Sequence, residues 1–228
     1  MTSLTFEETQ KQATSLQASA LLAAAGGFLD GFTYVGHGHV FANAMTGNVV
    51  LLGISCFSGS WRTGLRHLPP IIAFLLGVCA SEAIQLRAKL RHCNSPYTSV
   101  LWLEISVLSV LSLLPATTKD IFFTISIAFA ASVQVQTFRE VNGRSYSSTF
   151  TTGNLRTLGE AAFAWFFEGR RAMTAGVVRD FSVICGAFLL GAMVGGYSTQ
   201  AFGNRTLWGD IALLLLVVLG MQTGIGLP

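Results

Sequence analysis

Long apolar stretches separated by short polar connections make up nearly all of this chain. Residues 1–17 are polar, and Thr5-Phe-Glu-Glu8 matches a weak capping box for a short helix on a membrane surface, with a disordered tail as the alternative. The pattern then predicts a first span over 18–36, interrupted late by Gly26-Gly27 and by Asp30-Gly31. A second apolar segment occupies 40–57. Further spans are expected over about 68–86 and 98–115, the former opened by Pro69-Pro70, where the missing N–H groups would be unpaired in any case. Beyond the tight connection Pro115–Asp120, apolar segments follow at 120–138, 147–167, 178–199 and 206–226. Segments of this length suit a hydrocarbon core of about 30 Å at about 1.5 Å rise per residue. The expected fold class is therefore all-α: a polytopic membrane helix bundle, one membrane domain over 18–226 behind a polar tail.

Two of the segments share a polar signature. Thr46-Gly47-Asn48-Val-Val-Leu-Leu52-Gly53 returns as Thr152-Gly153-Asn154-Leu-Arg-Thr-Leu158-Gly159, both fitting Thr-Gly-Asn-x-x-x-Leu-Gly without a gap. Further along, Ala73-Phe-Leu-Leu-Gly77 reappears unchanged as Ala187-Phe-Leu-Leu-Gly191. Apolar segments resemble one another by composition alone, so the polar match carries the inference. It predicts an internal duplication of about 15–115 into about 120–226.

Composition agrees with the membrane reading. The chain is 51% hydrophobic and 11% charged, against about a quarter charged for soluble domains, and its mean hydropathy is +0.57. The 24 glycines suit close helix packing in lipid. A net charge of +3, dispersed between apolar runs, excludes a nucleic-acid surface. Cys56, Cys79, Cys93 and Cys185 form no C-x-x-C pair and have no histidine at ligand spacing, so neither metal nor cofactor is expected. Since Glu7, Glu8 and Lys11 precede the first apolar run, it is expected to stay as a span and not be cleaved as a signal.

Positive charge chooses between eight crossings and six. If the two Thr-Gly-Asn elements enter and leave on one side, six spans remain. One face then collects Lys11, Arg87, Lys89, Arg91, Arg139, Arg144, Arg156, Arg170, Arg171 and Arg179; the other holds Arg62, Arg66, Lys119 and Arg205. With eight spans the two faces are nearly equal. The six-span arrangement places both termini in the cytoplasm, with the plasma membrane as the expected location. An odd number of spans per half makes the repeats inverted, 3+3, so the two elements dip in from opposite sides.

The polar residues within apolar runs are the candidate site. Thr46, Gly47 and Asn48, with Thr152, Gly153 and Asn154, could break and cap helices at membrane depth, where freed backbone groups need protein, solute or water partners. The same residue types also serve to tie neighbouring helices together. Asn43 precedes the first element. Asp30 and Glu104 are carboxyls inside spans, each costing about 2.5–3.5 kcal/mol on insertion scales, and such groups mark proton or ion routes. Asp30 near a helix end could reach the interface instead, and Glu104 could be held by bonds within the bundle. Glu82, Glu160 and Asp210 lie near span ends and are expected at the interface. Gln136 stands 106 positions after Asp30, the separation of the two Thr-Gly-Asn elements, which offers an acid and an amide at equivalent places. Gln134 lies two residues earlier and faces another direction. His37 and His39 are expected as ordinary loop residues, with a pH-sensing pair or a weak metal site as the alternatives. No catalytic constellation is present, so no enzyme is expected.

Gly27-Phe-Leu-Asp30, Val40-Phe-Ala-Asn-Ala-Met-Thr46-Gly47-Asn48 and the later Thr152-Gly153-Asn154 resemble the YoaK-like family of integral membrane proteins, a domain of unknown function. The similarity runs from about residue 18 to 226. Where that family has a Met-Gly-x-Gln-type segment, Ala131-Ser-Val-Gln134-Val-Gln136 keeps the amide but not the glycine. The resemblance implies a protein of about six spans and names no substrate. A transporter or channel is expected, binding a small polar solute or ion at Asp30, Asn43, Thr46, Gly47, Asn48, Gln136, Thr152, Gly153 and Asn154, with Asp30 and Glu104 in proton or ion coupling. Its partners are then the lipid bilayer, that solute and a second copy in a homo-oligomer. The alternative is a membrane protein that organises partners or lipids, in keeping with the lack of a second charged residue beside Asp30 or Glu104.

Overall fold

The computed structural model describes residues 6–91 and 96–223. Thr5 of the expected capping box, Cys93 and residues 224–226 of the last expected span lie outside the described residues. The described chain is helical except for one small hairpin. A surface helix α1 (Phe6–Ala13) leads into α2 (Leu16–Gly36), whose first turn is capped by Ser15, its hydroxyl accepting from Ala18 N at 3.2 Å. Then come α3 (Met45–Phe57), a single turn α4 (Trp61–Gly64) continued as a 3-10 turn, α5 (Leu68–Arg91) and α6 (Pro96–Ser112). The later half holds α7 (Asp120–Thr137), the hairpin β1 (Glu140–Val141) and β2 (Arg144–Ser145), α8 (Thr152–Phe167), α9 (Arg171–Phe202) and α10 (Leu207–Thr223). Four segments are long and apolar enough to cross a membrane: Leu16–Gly36, Trp61–Arg87, Asp120–Thr137 and Arg171–Thr223, the last containing both α9 and α10. Met45–Phe57 and Tyr97–Ser112 are apolar but shorter.

Side-chain contacts fix the direction of each helix. His37, just past α2, lies 3.1 Å from Asp120 at the start of α7, so these helices are antiparallel. Tyr97 packs on Phe138, and Asn204, past α9, donates to Leu114 O past α6. Ser81 and Gln85 of α5 meet Thr137 and Gln136 of α7, which makes that pair parallel. The bundle thus has a His37 end, where α2, α6 and α9 finish, and a hairpin end, where α5, α7 and α10 finish. Asn142 in the hairpin donates through its N–H to Thr14 O and through Nδ2 to Asp180, strapping that end together.

The main core lies between α2, α6, α7 and α10, around Leu22, Leu29, Phe32, Leu101, Leu108, Phe123, Ile127 and Leu214. Leu75, Leu76, Leu189, Leu190, Met193 and Val194 are exposed on the outside, as a surface solvated by lipid requires. The tightest seam joins α2 to α9, which run in parallel. Gly27 and Gly31 of α2 form one G-x-x-x-G step and Gly191 and Gly195 of α9 another. A Cβ on Gly27 would overlap the carbonyl of Phe188, and one on Gly191 the carbonyl of Ala24. Glycine lets the two backbones touch, the packing that substitutes for a hydrophobic drive in lipid. On this ground the expected interruption of the first span is corrected: α2 runs unbroken through Gly26-Gly27 and Asp30-Gly31, and its glycines serve contact. Gly77 has the same task between α5 and α7, where a Cβ would meet Phe129 O at 2.6 Å.

Candidate functional site

After α2 the chain turns back at Gly38 and His39, both at positive φ, and runs beside the helix it has just left. Three bonds pin it there. Ala42 N donates to Thr33 Oγ1 at 3.1 Å, Asn43 N to Asp30 Oδ1 at 2.8 Å, and Asn43 Nδ2 to Gly26 O at 2.9 Å. Asp30 is thereby anchored as an acceptor of backbone N–H groups and stays buried; it does not reach an interface. From here α3 starts and heads back toward the His37 end. The later element mirrors this path. The chain leaves the hairpin, Ser148 Oγ bonds Gln134 Oε1 at 3.2 Å, and α8 turns back toward the hairpin end.

The asparagines of the two signatures do not cap these helices; neither α3 nor α8 has a side-chain cap bond. Each one closes the loop in front of its helix instead. Asn48 accepts from Phe41 N at 3.0 Å and donates to Phe41 O at 2.7 Å. Asn154 accepts from Ser147 N at 3.1 Å and donates to Ser147 O at 2.7 Å. The capping expected of Asn48 and Asn154 is corrected to this two-bond bracket, which a carboxamide can make because it carries donor and acceptor side by side. His67, also buried, adds a contact to Asn48 Oδ1 at 3.2 Å.

Both elements converge on the middle of α2. Asn43 bonds the carbonyl of Gly26, while a Cβ on Gly26 would stand 2.6 Å from Ser148 O. Between them opens a cleft of about 690 Å³, lined by Asp30, Asn43 and Thr46 from the first half and by Thr149, Thr151 and Thr152 from the second. Three buried polar atoms of its lining residues, Asn43 Oδ1, Thr149 Oγ1 and Thr151 Oγ1, have no partner within the protein. Nearer the hairpin end lies another cleft of about 530 Å³, which includes Gln136, Arg139, Gly153, Asn154, Arg156 and Glu160. Phe74 and Phe150 line both. Of the expected site residues, Gly47 and Asn48 sit behind the first cleft wall, with Gly47 against the Phe41 ring.

Several expectations about the remaining polar residues are corrected. Gln136 does not stand in for Asp30: its amide bonds Glu82 across the α5–α7 seam, and Gln134 holds the second element instead. Asp210 is fully buried, not interfacial, and Glu104, also buried, has it as a charged neighbour. Glu160 is exposed and pairs with Arg156. His37 is no plain loop residue; it stacks 4.0 Å from Phe123 and contacts Asp120. Two features of the sequence carry this information: the matching G-x-x-x-G steps, and the acid 106 positions after Glu104.

Burial pushes the His37 imidazole below its ordinary value, with Asp120 pulling the other way. Below about pH 6.5 the unfolded chain takes up a proton that the folded imidazole resists. The sign follows: stability is full above that pH and declines as pH falls toward the folded value. The melting temperature in detergent should drop between about pH 7 and pH 5 in the parent protein and drop less in His37→Asn. An equal drop in both would remove His37 as its source.

The family model for "Protein of unknown function (DUF1275)" matches residues 18–220. The "UPF0700 transmembrane protein YoaK" of Bacillus subtilis (strain 168) is 27% identical over 206 residues, which cover 88% of this chain and 91% of that protein. No solved structure matches the chain. The long family match and the apolar helices together identify the chain as a member of the DUF1275 family, an integral multi-pass membrane protein.

Proposed function

We propose that the chain is a transporter or channel for a small polar solute or ion, which binds in the cleft between the two Thr-Gly-Asn elements. The observation that carries this reading is the set of three partnerless buried polar atoms, Asn43 Oδ1, Thr149 Oγ1 and Thr151 Oγ1, on residues from both halves that line one cleft. Buried polar groups ordinarily find a partner, and a polar solute or water would supply it here. The N-termini of α3 and α8, neither capped by a side chain, start at the same cleft, and the positive ends of their dipoles favour a solute with an acceptor or negatively charged group. Phe74 and Phe150 stand between this cleft and the one nearer the hairpin end, where an apolar barrier is needed if access alternates.

In this reading α2, α5, α6, α7, α9 and α10 are six spans and α3 and α8 are re-entrant. Support for an inverted repeat comes from the opposite running of α2 and α7, α5 and α9, and α6 and α10, from the two asparagine brackets, and from Gly77 and Gly191 at equivalent crossings. Lys11, Arg139, Arg144, Arg170, Arg171 and Arg179 gather at the hairpin end, which under the positive-inside rule supports cytoplasmic termini, and the plasma membrane is the proposed location.

Accessibility tests this arrangement without knowledge of the solute. Cys56, Cys79, Cys93 and Cys185 are first replaced by serine; then Thr46→Cys and Thr157→Cys are probed in cells with a membrane-impermeant maleimide. Thr46→Cys should label from outside and Thr157→Cys only after permeabilisation. Labelling of both from one side would overturn the inverted arrangement. For transport itself, proteoliposomes are offered radiolabelled amino acids, sugars and inorganic anions. Asp30→Asn keeps the oxygen that anchors Asn43 but loses the charge, and uptake should fall roughly tenfold, the worth of one charge-assisted hydrogen bond. Uptake equal to that of empty liposomes across the panel would count against transport.

A further inference from the structure

Glu104 on α6 and Asp210 on α10 are 106 positions apart, the same separation as the two signatures, so the duplication places them at equivalent positions. Both are buried, at 1% and 0% exposure, where α6 packs against α10, and the charge of Glu104 acts on the Asp210 carboxyl. Glu104 Oε2 and both carboxyl oxygens of Asp210 have no hydrogen-bond partner. Gln134 of α7 faces Glu104. Its Oε1 is taken by the Ser148 hydroxyl, and Nε2, in a side chain 1% exposed, is left without a partner on the side of the pair.

We infer that Glu104 and Asp210 form a proton-binding pair, with one proton held between two equivalent carboxyls where the halves of the chain meet. Two ionised carboxylates in so dry a place repel each other and are poorly solvated, and among the described residues no cation faces them. Lys11 of α1, Arg87 of α5 and Arg205 of the 3-10 turn before α10 are exposed. Among the acids of the adjoining elements, Asp30 of α2 is engaged by the Asn43 segment, and Glu82 of α5 and Asp120 of α7 are exposed. A proton shared across the seam removes the repulsion and gives an orphaned oxygen a donor, while Gln134 Nε2 can donate to the carboxyl that stays ionised. A metal cation fits poorly: six to eight oxygens would be needed for calcium, and no group of three acidic or other ligating side chains occurs among the described residues. Through Gln134 and Ser148 the pair connects to the second Thr-Gly-Asn element, so a change in its protonation reaches the cleft wall.

Infrared spectroscopy of the full chain in lipid nanodiscs tests the pair, with 13C-aspartate labelling to separate aspartate from glutamate carbonyl bands. At pH 7 the unsubstituted protein should show a protonated-carboxyl band. Glu104→Gln should shift the band of the remaining labelled aspartate, and Asp210→Asn should shift that of the remaining glutamate. Two ionised carboxylates in the unsubstituted protein would overturn the inference, and that result needs no variant to fold. Bands that ignore loss of the other acid would overturn it as well, as would a protonated band that disappears on adding sodium or potassium at constant pH. No solute is used, so a negative result here leaves the reading of the cleft untouched.

Discussion

Leucine at Gly27 or at Gly191 is expected to keep the protein from its native fold. At both positions the facing atom is a backbone carbonyl of the neighbouring helix, at Phe188 and Ala24 respectively, and backbone cannot rotate away as a side chain can. To admit the new side chain, α2 and α9 would have to separate along the closest contact in the bundle. The cost should exceed ~4 kcal/mol, the range of severe core disruption. Fluorescence-detected size exclusion of a fusion protein should show aggregate where the parent gives one peak. Gly53→Ala and Gly159→Ala are the controls. Nothing lies within 4 Å of either added methyl, and an exposed helical glycine replaced by alanine should gain up to about 1 kcal/mol. A native peak and an unchanged melting temperature for Gly27→Leu would show that the seam is loose.

The second large effect is expected from the asparagine brackets. Asn48→Ala removes both bonds to Phe41 and leaves its N–H and carbonyl unpaired, and Asn154→Ala does the same at Ser147. Each loss should cost roughly 2–4 kcal/mol, the price of two unmade bonds in a buried setting. Asn48→Ala should be the worse of the two, because His67 also loses its contact. Aspartate, close in shape, should not rescue either site, since it cannot donate to the carbonyl while ionised. Thermal unfolding followed by a thiol-reactive dye gives the readout. An aspartate variant as stable as the parent would mean that the donor half of the bracket contributes nothing.

Helices were legible in the sequence wherever lipid dictates them. An apolar run must satisfy its own backbone in a bilayer, so the apolar pattern located the long helices to within a few residues at most ends. Arg171–Phe202 runs beyond the expected 178–199 at both ends, because the apolar run sets the length of a span and not of the helix that contains it. The role of Asn48 and Asn154 was harder to read. A carboxamide beside a glycine is equally compatible with a cap, a solute ligand or a loop bracket, and only the position of residues 41 and 147 distinguishes these. Asp30 was visible as a costly carboxyl, but what offsets the cost is a loop N–H thirteen residues away, which no helical periodicity announces. The glycines signal close packing but not against which helix, since α2 and α9 are far apart in the chain.

The way the long helices pair has a bearing on how the gene could be divided. Leu16–Gly36 leans on Arg171–Phe202, and Leu68–Arg91 on Asp120–Thr137, so each half of the polypeptide keeps its principal neighbour in the other half. Cutting at the exposed turn after Pro115 would give two pieces with their glycine faces bare to lipid. Neither should persist when made singly; produced together in one membrane, they should find each other and survive.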